Sequence, residues 1–181
     1  KRCALHGGAQ APVQALEEIL EEHEFLPEEI EAVTYFTSAK ICRNHNIQEP
    51  TDLVGIQFGV PFAIALSAYR DATDPFQVYK TDPFDKKILS LSRRIRLKED
   101  VETKNPGAAW WCRLRIVLKN GQEFEKTIPW FRGSPQAPMT EAEHDRKFRL
   151  ATAHLDERKR EALLVRLKDL ENQENLSEFL L

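Results

Sequence analysis

The stretch from Trp110 to Ile128, divided by Asn120-Gly121, leaves this chain the least freedom. Before the turn, Trp110, Cys112, Leu114, Ile116 and Leu118 alternate with Trp111, Arg113, Arg115, Val117 and Lys119; after it, Phe124 and Ile128 are the apolar positions. Period-two alternation marks strands, and Asn-Gly is a strong hairpin signal. A slip of one residue would turn every side chain to the other face, so loop length decides the register. A two-residue loop pairs Val117 with Phe124 and wastes Ile128 on the face of Arg113 and Arg115. A three-residue loop with a bulge at Gly121 sets Ile116 opposite Phe124 and Cys112 opposite Ile128, and that is the pairing expected. Ile95 and Leu97, alternating with basic residues between Arg94 and Asp100, predict a third or edge strand of the same sheet. Val33, Thr34, Tyr35 and Phe36 predict another strand over about Ile30 to Thr37.

Helical spacing surrounds these strands. Val13, Leu16, Ile19 and Leu20 make one apolar stripe over residues 10 to 25, opposite Glu17, Glu18, Glu21 and Glu22, and Pro27 ends it. Pro61 opens a segment to about Tyr69 that is apolar nearly all round and therefore buried. Asp-Pro-Phe occurs twice, at residues 74–76 and 82–84. The second triplet reads as an N-cap Asp with Pro in the first turn, opening a helix over Asp85 to Arg93. Beyond Gly133-Ser134-Pro135, Thr140 and Glu143 spell a capping box for a helix through about His154. A second helix follows from about Asp156 to Leu170, with Leu163, Leu164, Leu167 and Leu170 on one face. The apolar tail Leu176–Leu181 should pack rather than dangle. Within its own length this leucine-lined pair has too little partner surface, so it is expected to dock on another body.

The chain has 181 residues, 26 Lys+Arg against 29 Asp+Glu, and a formal charge of −3, so nothing concentrates the basic charge that nucleic acid needs. No apolar run approaches the roughly 20 residues that span a bilayer. Cys3, Cys42 and Cys112 are scattered and odd in number, which predicts a reducing compartment. The only methionine is Met139, so the expectation is a piece of a longer protein.

His6 stands with Lys1 and Arg2 in a segment interrupted by Gly7-Gly8, which reads as a flexible entry to the first helix. An imidazole beside cations suits proton transfer on an anionic substrate, with the cations holding carboxylates. On a loop, its side chain could face a cleft without disturbing core packing. Cys3-x-x-His6 and Cys42-x-x-His45 together offer a zinc set, but each half mixes Cys with His instead of bringing a Cys pair and a His pair, and no metal is expected. Gly7-Gly8 lacks the contexts of the phosphate-binding glycine motifs.

Several segments in order resemble the MmgE/PrpD family, which includes 2-methylcitrate dehydratase, cis-aconitate decarboxylase and iminodisuccinate epimerase. They are Gln57–Ala63, Val117–Gly121, Gly133–Glu143 with Lys147-Phe148, and Leu167–Glu171 with Leu176–Leu180. The resemblance implies an α+β fold: a small lid domain over residues 1–133, with a mainly antiparallel sheet and flanking helices. Residues 134–181 would be helices belonging to a larger all-α domain that lies N-terminal in the parent. It further implies a cytoplasmic homodimer (mitochondrial in a eukaryote) without metal or organic cofactor.

The implied activity is a lyase or isomerase that abstracts a proton α to a carboxylate of a small di- or tricarboxylate. Its site would lie between two domains, so this chain alone would be inactive. Lys1 and His6 match the family's lysine and the histidine five residues later. Arg2 joins Lys1 as a carboxylate contact. Gln10 and Phe62, counted with the substrate-binding positions, stand where many members carry His and Tyr. Gln cannot shuttle a proton and Phe cannot donate a hydrogen bond, which leaves as the alternative a non-catalytic dimerisation or interaction module.

Overall fold

The computed structural model describes residues 1–100, 111–173 and 175. The expectations for Trp110 and for the tail 176–181 fall outside these residues. The chain divides into two compact units, Lys1–Met139 and Thr140–Leu181. The loop after Gly133 belongs to the first unit, where the Gly133 amide donates to the Ala137 carbonyl at 2.7 Å.

The first unit is α+β. Strands β1 (Ile30–Thr37), β2 (Ile95–Glu99), β3 (Cys112–Leu118) and β4 (Glu123–Ile128) form one sheet in the order β2-β1-β3-β4. β1–β3 and β3–β4 are antiparallel, and β1–β2 is parallel. The hairpin has the bulged register: Ile116 faces Phe124, Cys112 faces Ile128, and Gly121 takes φ +86°. L-residues with side chains avoid that backbone region, so glycine is required by conformation at this turn. The parallel edge was not evident from local pattern. It arises because the chain leaves β1, runs through five short helices, and returns by a crossover, as parallel neighbours must.

One face of the sheet carries the core. Val33, Tyr35, Ile95, Leu114, Ile116 and Ile128 are buried there with the helical layer. Ile30 and Val33 are both buried despite their odd spacing, because a register irregularity between Ile30 and Ala32 resets the alternation. The opposite face is polar, with Arg113 lying over the Phe36 ring at 4.0 Å.

Helix α1 (Gly7–Glu22) packs on β3 and β4, and α4 (Val60–Ser67) packs between α1 and α6 (Lys86–Ser92). Every residue of α4 is buried, as its all-round apolarity predicts. Helices α2 (Ala39–Asn44), α3 (Leu53–Phe58) and α5 (Pro75–Tyr79) are shorter connectors. The cap-plus-proline arrangement falls on the first Asp-Pro-Phe triplet: Asp74 caps α5 with Pro75 in its first turn. In the second, Asp82 only closes a turn onto the Phe84 amide, and Asp85 caps α6.

The second unit contains α7 (Glu141–Ala151) and α8 (Glu157–Lys168), packed on each other. The Thr140–Glu143 capping box is present, and Asp156 caps α8 through the amides of Arg158 and Lys159.

Candidate active site

The first six residues are strapped down rather than loose. The Gln10 side chain, 1% exposed, engages four backbone groups. Its Oε1 accepts from the amides of Arg2 (3.1 Å) and Cys3 (3.0 Å), and its Nε2 donates to the carbonyls of Cys3 and Leu5, both at 3.1 Å. A primary amide has few further bonds to offer. Gln10 therefore holds the segment in place and presents nothing outward. The Arg2 guanidinium pairs with the Glu17 carboxylate, and burial pushes the Glu17 carboxyl up against the pull of that cation. Cys3 and Leu5 point into the core.

This strapping delivers His6 to the start of α1. Its amide donates to the Gln57 carbonyl at 2.9 Å, and its Nδ1 accepts from the Gly8 amide at 3.0 Å, so the imidazole is the N-cap. Gly7 and Gly8 are buried helical residues rather than a flexible entry. A Cβ on Gly8 would lie 2.5 Å from Ile41 Cδ1 and 3.2 Å from His6 Nδ1, so glycine lets α2 and the capping ring close over the helix end. Pro12 has no N–H to give the Gly8 carbonyl four residues earlier. The buried Tyr35 hydroxyl donates to that carbonyl instead, at 3.4 Å, tying β1 to the same turn.

The cap sets the tautomer. Because Nδ1 accepts, the neutral imidazole carries its hydrogen on Nε2, which makes no hydrogen bond among the described residues. Burial, then His45, Lys1 and Lys40, hold the His6 pKa below the ordinary imidazole value. His6 is thus a neutral donor with cationic neighbours at neutral pH.

His45 completes the site, and local sequence pattern did not assign it a role there. It ends α2, and its ring stacks on His6 with centroids 3.8 Å apart and planes 25° from parallel. Phe58 at the end of α3 flanks both rings, at 5.2 Å from His6 and 6.0 Å from His45. The only sequence signal for His45 was its Cys-x-x-His spacing, which suggested zinc. The two imidazoles do meet, but ring on ring, so their in-plane lone pairs do not converge on one point. Among the described residues no group of three or more His, Cys, Asp or Glu side chains is placed to hold a metal ion.

Of the expected substrate contacts, Lys1 is exposed, and its charge bears on His6. Phe62 is fully buried in α4 and presents no surface. Beside the imidazole pair, Leu53, Val54 and Phe58 of α3 leave apolar surface exposed.

A two-layer α+β domain, whose first helix is capped by an imidazole stacked on a second, is the class of protein that this fold and site define. The chain belongs to the MmgE/PrpD family: residues 4–170 match the MmgE/PrpD C-terminal domain. No individual curated protein matches it. No helix among the described residues is long and apolar enough to cross a membrane.

Proposed function

We propose that this domain forms one wall of a cofactor-independent lyase or isomerase that removes the proton α to a carboxylate of a small di- or tricarboxylate. The observation that carries this reading is His6: a neutral, oriented imidazole among cations, in a domain of this family. Lys1 holds a substrate carboxylate and offsets the charge that builds on it as the α-carbon loses its proton. His6 is the acid/base group. It meets the substrate first as an Nε2–H donor to an oxygen. When the ring turns so that Nδ1 leaves the Gly8 amide and faces the substrate, Nδ1 takes the α-proton. The C–H electron pair is left on the α-carbon and delocalises into the carboxylate, and the imidazolium returns its proton in the following step. Arg2 and Gln10, committed to Glu17 and to backbone, act by fixing the segment that carries Lys1 and His6.

The second wall is a large helical domain of the same polypeptide, which excludes water from the closed site. The exposed apolar residues of α3, those of α8 at Val165 and Leu167, and Leu170 just beyond it support docking of this kind. The enzyme is a homodimer of the cytoplasm, or of the mitochondrion in a eukaryote. The odd set of free thiols is in keeping with a reducing compartment.

His6→Asn is the decisive variant, because Asn also caps helices well while it cannot transfer a proton. In the enzyme with both domains, kcat for dehydration, decarboxylation or epimerisation of such acids should fall by about 10²–10⁴-fold with Tm nearly unchanged. Lys1→Ala should instead raise KM. Normal kcat in folded His6→Asn would leave the interaction-module reading.

A further inference from the structure

His45 has no assigned part in this site, yet it is the residue most closely applied to His6. We propose that His45 is the positioning residue for His6: its ring holds the His6 imidazole in the plane that keeps Nδ1 on the Gly8 amide and Nε2 free. This deepens the acid/base reading of His6 and rests on it, but it is tested on the imidazoles themselves and not on turnover.

The geometry carries the inference from both sides. The His6 ring has one hydrogen bond, from Gly8 to Nδ1, which fixes a point but not the rotation of the plane. Stacking at 3.8 Å against His45, with Phe58 beside both, removes that remaining freedom. His45 is itself anchored by backbone: its amide donates to the Ile41 carbonyl at 3.0 Å, and its carbonyl accepts from the Val60 amide at 2.9 Å. The same Ile41 packs over Gly8, so α2 delivers both the stacking ring and the side chain that closes the cap.

Protonation of His6 works against this arrangement. A proton on His6 Nδ1 would face the Gly8 N–H and the positive end of α1. His45 Nδ1 is buried with no hydrogen-bond partner among the described residues, so what this ring offers His6 is stacking. The titratable and charged groups that bear on His6 are Lys1 from its own segment and Lys40 and His45 from α2 and its cap, all cationic or potentially so. The arrangement therefore favours the neutral His6 ring, which admits a proton only by loosening.

The test is a side-chain imidazole NMR titration of the isotope-labelled full chain from about pH 8 to about pH 4, a range that spans ordinary histidine. At the neutral end, His6 should show an unprotonated, hydrogen-bonded Nδ1 and a protonated Nε2. On acidification His6 should titrate below the ordinary midpoint. His45→Ala should raise the His6 midpoint and lose the Nδ1 signature. His45→Phe should restore that signature, since it keeps a stacking ring, while the midpoint stays raised because the second titrating group is gone. A His6 ring that carries its neutral-state hydrogen on Nδ1 in the unaltered chain would overturn the proposal without any variant. So would a His6 midpoint and Nδ1 signature that neither substitution moves.

Discussion

In residues 1–139 all eight residues of α4 are buried, and the sheet and α1 close a continuous apolar core around them; in residues 140–181 Leu164 is the one buried apolar side chain among those described. The helices of the second unit are instead marked out by local chemistry. Thr140 and Glu143 cap α7 reciprocally, Asp156 caps α8, and Lys168 reaches Glu141 and Asp145 at 2.7 Å each. Arg149 and Glu161 pair at 2.9 Å across the two helices. Exposed ion pairs of this kind contribute little, typically about 0–1 kcal/mol. Val165, Leu167 and Leu170 remain exposed at 67%, 41% and 46%. The contrast separates two questions: local signals say where a helix begins and ends, and burial says whether it persists.

The largest effect that tests this contrast is Phe62→Ala. It empties a fully enclosed position and should lower stability in denaturant by about 3–5 kcal/mol. Leu167→Ala, on a half-open face, should cost no more than about 0.5 kcal/mol in the same assay. Equal costs would erase the distinction between the units.

Thr140→Ala removes one limb of a capping box and should cost about 1 kcal/mol. Amide exchange should speed up in α7 and leave β1 and β3 protected, if the two units open separately. Faster exchange in both would show that they unfold as one.

Mild acidification through the histidine range should act on the first unit, and more gently. Folding lowers the His6 pKa below its ordinary 6.5, so the unfolded chain binds that proton more readily than the folded one. The linked stability is complete above about pH 6.5 and drains away as pH falls through the native His6 value. A Tm series on the unaltered chain and on His6→Asn should show the gap between them shift over that window. A constant gap would mean that His6 titrates alike in both states.

Much of the site escaped local pattern for a definable reason. Gln10 and Phe62 were expected to touch substrate because of what stands at those positions in the family, yet burial in the fold turns both inward. His6 was expected on a loop where its loss would leave packing untouched, and it proves to be the cap of α1. His45 was weighed as a zinc ligand because Cys-x-x-His is a spacing, whereas stacking is a relation in space between residues far apart in the chain.

What the sequence alone determined are the features whose cause lies within a few residues: the bulged hairpin at Gly121, the strand Ile30–Thr37, the enclosed α4, and the caps at Thr140 and Asp156. Each follows from side-chain period, turn conformation or a capping hydrogen bond, all of them short-range. Only the tertiary structure decided that β2 runs parallel to β1, that Tyr35 supplies the hydrogen bond Pro12 denies to Gly8, and that His45 stacks on His6. Those relations join elements brought together by burying apolar surface, a force that has no direction along the chain and so leaves no local signature of which polar groups it will set side by side.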